Sequence, residues 1–227
     1  AQDPSVVHGP LELLCTVDEE TGLTGAKDLD PSIVSGRIML NLDTEEDTEL
    51  TIGCAGGVDV TATMTVPMVD AGPGQGLEIR LRGLSGGHSG MDIHLGRGNA
   101  NKLMNRLLAS VTGLRLARLD GGGLRNAIPR ESTAKVRVAD REAARGQLEA
   151  TFEILRAEYA TTDPDMRLEV EDIEVPAQAV APEFQARLFA AVAACPNGIH
   201  RLSPDIDDLV QTSNNLARVE VKDGHLI

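Results

Sequence analysis

Two short apolar runs open the pattern: LELLCT, Leu11 to Thr16, and RIMLNLD, Arg37 to Asp43, each closed by charge. Runs of this length, apolar and ended by acids, predict strands buried on both faces. Between them, TGLTGAKDLDPSI has the breakers and the length of a short helix plus loop, which makes a βαβ-like unit with carboxylates at its strand ends. Beyond Gly53, Gly56 and Gly57 the period changes to two. Val58, Val60, Ala62, Met64 and Val66 alternate with Asp59, Thr61, Thr63 and Thr65, and Leu77, Ile79 and Leu81 alternate with Glu78, Arg80 and Arg82. This predicts half-exposed antiparallel strands. The change of period places a domain boundary near Ala55, dividing an α/β region, residues 1–55, from an α+β region, residues 56–227.

Helical stripes interleave with the second set of strands. Leu103, Leu107, Leu108 and Val111 form one stripe, and Leu148, Phe152, Leu155 and Tyr159 form another behind Asp140 in the N-cap position. A third helix starts at Pro182, carries Phe184, Leu188 and Val192, and stops at Pro196 to Gly198. Further strands are expected over 133–138, 167–175 and 216–221. GPGQG at Gly72 to Gly76 lacks the Lys-Ser/Thr of a phosphate loop and reads as a hairpin turn.

Charge then narrows the partners. The 21 Lys and Arg against 35 Asp and Glu leave a net charge of -14, which repels phosphate backbones and anionic lipid surfaces. Aromatic residues are 2% of the chain, so stacking platforms for bases are nearly excluded. No run of 18 apolar residues exists, and AQDPSVVHGP has neither the basic start nor the apolar middle of a signal peptide. Cys15, Cys54 and Cys195 are an odd set without a CxxC pair, which suits a reducing compartment and a cytoplasmic protein. The expectation is no nucleic acid and no membrane as partner.

The chemistry concentrates in TVDEETG. Acids such as Asp18, Glu19 and Glu20 stabilise the first turn of a helix by about 0.3–1 kcal/mol each through its dipole. The alternative is a metal site, in which Glu20 ligates a cation and Glu19 faces the space above it as a base. Asp43 closes the second run in the equivalent place, whereas Glu45, Glu46, Asp47 and Glu49 read as a solvated loop. DTEEDTELTIG lacks the alternating ligands and central Gly of an EF-hand. His88, in GGHSG, is either a structural histidine or a functional one. His94 reads as structural. Asn126, in GGGLRNAIPRE, is either a turn former or a contact residue.

TVDEETGLTGA, NLDTEEDTELTIGCAGG, GLSGGHSGMDIHLGRGNANKL, GGGLRNAIPRE and PNGIHR occur in that order over nearly the whole chain. Together they resemble the aminoacyl-histidine dipeptidases, carnosinase-type members of the co-catalytic zinc aminopeptidase and carboxypeptidase superfamily. The resemblance implies part of an α/β catalytic domain followed by an α+β lid and dimerisation domain, with an antiparallel sheet and helices on one face. It makes Glu19 the general base for a water between two zinc ions, with Mn or Co as possible substitutes. Glu20 becomes a ligand of one ion and Asp43 of the other. His88 becomes a lid histidine that holds the oxyanion, commonly in the partner subunit's site, and Asn126 a substrate contact. The implied substrate is a dipeptide with C-terminal His, and the implied assembly is a homodimer through the lid.

One departure from the family pattern bears on activity. The upstream His-x-Asp element, the Asp that bridges both metals and the downstream zinc-ligating His have no counterpart in this sequence. Glu20 and Asp43 give one protein ligand per metal, where zinc takes three or four. The chain is therefore expected to be an internal segment that is inactive alone. The alternative is a non-catalytic dimerisation or binding module built on the lid fold.

Overall fold

The computed structural model describes residues 5–42, 48 and 54–227, and the chain divides into two compact units, Ala1–Cys54 and Ala55–Ile227. In the first unit the described residues form two helical turns, α1 (Glu19–Gly22) and α2 (Thr24–Lys27), and a 3-10 turn, Pro31–Ile33. Neither expected strand forms among them. Leu11 to Thr16 and Arg37 to Leu42 carry no ladder, and the end of the second run, Asp43, lies outside the described residues. A strand exists only where a neighbour takes its N–H and C=O groups. Neither run pairs with a described segment of this unit, and Leu13 and Ile38 are solvent-exposed.

Elements of the second unit follow in the order β1 (Met64–Thr65), β2 (Met68–Asp70), β3 (Gln75–Arg82), β4 (Gly87–His88), α3 (Ala100–Ser110), β5 (Arg115–Gly122), β6 (Ala127–Ile128), β7 (Ser132–Val138), α4 (Arg141–Glu158), β8 (Arg167–Ile173), β9 (Gln178–Val180), α5 (Pro182–Ala194), β10 (Gly198–Leu202), β11 (Val210–Asn214), β12 (Arg218–Lys222) and β13 (His225–Leu226). Seven of these strands make one antiparallel sheet, ordered β1-β13-β12-β5-β7-β3-β8. Its two faces follow from the alternation. Leu77, Ile79 and Leu81 are fully buried against the layer of α3, α4 and α5, while Glu78, Arg80 and Arg82 point to the open face. There Arg80 pairs with Glu78 and Glu171, and Lys135 with Glu78.

Caps set the helix ends. Asp140 accepts from the Glu142 and Ala143 amides at the start of α4, and Asn99 from those of Asn101 and Lys102 at the start of α3. At the far end of α5, Lys102 Nζ donates to three carbonyls, those of Val192, Ala193 and Cys195, each at 2.7 Å. An ammonium there satisfies the orphan acceptors and opposes the negative end of the helix dipole.

Two expectations are corrected in this unit. From Val58 to Val66 only Met64–Thr65 is a strand, and Val58 and Val60 are exposed. The Gly72 to Gly76 turn is not a hairpin, because β2 pairs with β9 while β3 pairs with β7 and β8. β5, near the middle of the sheet, escapes a period-two reading. A register shift between Leu116 and Arg118 puts Leu116, Leu119 and Gly121 on the buried side, so the spacing is not even.

Candidate functional site

His88 and Asn126 meet in the second unit. A small ladder pairs β4 with β6, setting Gly87 against Ile128 and His88 against Ala127, and the Ser89 amide donates to the Asn126 carbonyl at 2.7 Å. Gly87 permits this closure. At φ +133 an L side chain is strained, and an added Cβ would overlap both Arg97 Nη1 and Asp92 Oδ2. Asp92 in turn accepts from the His88 amide at 2.8 Å and lies 3.4 Å from Arg97, which donates to the Gly86 carbonyl at 2.6 Å.

The imidazole is oriented by its own loop. His88 Nδ1 accepts from the Gly90 and Met91 amides at 3.1 and 3.2 Å. With Nδ1 committed as an acceptor, the proton of the neutral ring resides on Nε2. His88 is exposed, so an oriented N–H donor faces solvent beside the Asn126 loop.

That loop is pinned on several sides. Arg125 Nη1 donates to Asp59 at 2.6 Å, the Ala100 amide donates to the Pro129 carbonyl at 3.0 Å, and Asn215 Nδ2 donates to the Ala127 carbonyl at 2.8 Å. Asn215 belongs to a polar cluster around buried Asn99, whose Nδ2 donates to Asn197 Oδ1 at 2.7 Å and to the Leu216 carbonyl at 3.2 Å. Sequence reasoning passed over Asn99, Asn197 and Asn215. Asn99 could have been found as an N-cap directly before the α3 stripe, whereas Asn215 joins the loop only through long-range folding.

In the first unit Glu19 opens the α1 turn and is exposed, and Glu20 follows it in the same turn. The expected strand end is thus a helical turn. Asp18 precedes it at φ 60, with its carboxylate accepting from Thr24 Oγ1 at 2.7 Å. Asp43 lies outside the described residues. Among the described residues no cluster of three or more His, Cys, Asp or Glu is arranged to share a metal ion. An acid not singled out from the sequence, Glu12, accepts from the Ser35 hydroxyl and from the Ser35 and Gly36 amides, which hold its carboxyl below its ordinary value.

Residues 79–163 match the family of the peptidase dimerisation domain. Over those residues the second unit is similar to a peptidase dimerisation domain. Both His88 and Asn126 fall inside that stretch. The chain is also 38% identical over 99% of its length to the cytosol non-specific dipeptidase of Escherichia coli (strain K12), of which it spans 47%. A crystal structure of aminoacylhistidine dipeptidase from Vibrio alginolyticus matches with TM-score 0.80 and 38% identity, over 93% of this chain and 44% of that one. The chain therefore spans about half the length of the relatives it matches, and its resemblance to the aminoacylhistidine dipeptidases holds in both sequence and fold. The antiparallel sheet with helices on one face is the architecture of the dimerisation domain. Among the described residues no helix is long and apolar enough to cross a membrane.

Proposed function

We propose that residues 1–227 supply part of a metal-dependent dipeptidase, with Glu19 as general base, Glu20 and Asp43 as metal ligands, and the His88–Asn126 pair as the contribution of the dimerisation domain. The observation that carries this reading is the juxtaposition of His88, on a short ladder, and Asn126, at the edge of that ladder, in a chain 38% identical to a dipeptidase over 99% of its length. Peptide hydrolysis concentrates negative charge on the former carbonyl oxygen in its tetrahedral intermediate. A donor that needs no reorganisation is what lowers such a barrier. His88 Nε2–H, held by two amides on Nδ1, has that property. Asn126 offers an amide that both donates and accepts, suited to the peptide backbone of a substrate.

Zinc, or Mn or Co in its place, supplies Lewis acidity when bound. Carboxylates fit any of these ions, but Glu20 and Asp43 provide one donor each where zinc takes three or four. The 227-residue polypeptide is therefore expected to be inactive by itself. Glu19, next to a ligand in sequence, is the group that receives the proton of the attacking water. The substrate is a dipeptide, with the preference for C-terminal His resting on the name of the Vibrio relative. The assembly is a homodimer through the dimerisation domain, in the cytoplasm like the relative named for the cytosol. A second reading, favoured by the restriction of the family match to residues 79–163, is a non-catalytic dimerisation module.

Grafting residues 1–227 into the Escherichia coli dipeptidase in place of its matching segment separates the two. The graft should hydrolyse dipeptides, and Glu19→Gln should lower its kcat by about 10²–10⁴ with metal content unchanged. Turnover that survives Glu19→Gln, or metal lost in proportion to activity, would remove Glu19 from the base role. A stable dimer of the 227-residue chain together with an inert graft would favour the module.

A further inference from the structure

Asp163 is 2% exposed and faces no cation among the described residues. A buried carboxylate costs several kcal/mol unless hydrogen bonds replace the lost water. Here they come from the two roots of one loop. Oδ1 accepts from the Ser85 amide at 2.9 Å and Oδ2 from the Gly98 amide at 2.8 Å, with Thr162 Oγ1 also on Oδ2 at 2.8 Å. Ser85 Oγ adds a bond of 2.6 Å to the Thr162 carbonyl. The clamped residues bracket His88 and the partners that orient it, Gly90, Met91 and Asp92. Gly98 admits this approach, since an added Cβ would sit 2.9 Å from Leu84 Cδ2 and 3.3 Å from Asp163 Oδ2.

We infer that Asp163 is the positioning residue for His88: one buried carboxylate closes both ends of the 85–98 loop and thereby fixes the imidazole with its Nε2–H outward. Charge is essential to the arrangement. Three donors converge on two oxygens, and a neutral amide in the same place would present an NH₂ group to one of them. The tip follows the roots because Arg97 ties the Gly86 carbonyl to Asp92, which holds the His88 amide. The inference rests on the reading of His88 as an oxyanion donor, yet the clamp can be tested without turnover.

Asp163→Asn in the 227-residue chain should speed amide exchange at Gly90 and Met91 by about ten- to a hundredfold while Leu77, Leu107 and Val136 keep their protection. The ¹⁵N signals of the His88 ring should move from one Nε2–H tautomer to an averaged pair. Unchanged loop exchange with an unchanged ring tautomer would overturn the inference. If Asp163→Asn does not fold, Thr162→Val removes one of the bonds to Oδ2 and should loosen the same amides to a smaller degree; no loosening there overturns it equally. In the dipeptidase graft, Asp163→Asn should lower kcat with KM nearly unchanged. A loosened loop with undiminished kcat would uphold the clamp and overturn instead the oxyanion role of His88.

Discussion

The two units carry different apolar patterns, and they also differ in how far those patterns are buried. Ile79 sits in an apolar-polar alternation, lies between paired strands and is fully buried, whereas Ile38 sits in a more continuous apolar run and is 86% exposed. Their local sequences do not account for the gap. Ile79 has β7 and β8 on either side and a helix layer over its face, and Ile38 has no described neighbour of that kind in its unit. Hydrophobic pattern thus specifies which face seeks cover, and tertiary partners decide whether cover is given.

The largest expected effect is on stability. Ile79→Ala should destabilise the second unit by about 2–4 kcal/mol through lost burial and a residual cavity, and Ile38→Ala should stay within about 0.5 kcal/mol. Urea unfolding of both variants checks this, and equal effects would erase the distinction. Removing the cap on α5 is a smaller perturbation within the ordered unit. Lys102→Met keeps the aliphatic stem but abandons three carbonyls, and should cost about 1–3 kcal/mol by the same measurement.

The smallest effect lies on the surface. Arg106 makes a bidentate pair with Glu158 at 2.6 and 2.8 Å and holds that carboxyl below its ordinary value of 4.5. A lowered folded-state value means the contribution is present above 4.5 and is lost as pH falls through the folded value. Glu158→Gln should therefore cost less than about 1 kcal/mol near neutrality, and the difference from the parent should close in acid. A difference that grows in acid would contradict the sign.

Much of the second unit was legible because its signals are local. Asp140 with the Leu148, Phe152 and Leu155 stripe marks α4, and Pro182 opens α5 as expected. β5 was not legible, since its register shift sets Leu116 and Leu119 three apart, and no period-two reading survives that. The candidate site was legible only as a list of residues. His88 and Asn126 could be named from their motifs, but the ladder that joins them, the Asn215 tie and the Asp163 clamp link residues far apart in sequence. Closure of those loops depends on packing that neighbouring residues do not encode.

The central claim is that His88 and Asn126 act on one substrate. A double-mutant cycle of His88→Ala and Asn126→Ala on kcat/KM in the dipeptidase graft tests it most directly. His88→Ala alone should cost about 10²–10³ in kcat, and the pair should be non-additive by about 0.5–3 kcal/mol. Strict additivity, or a His88→Ala variant with unchanged kcat, would contradict a shared site.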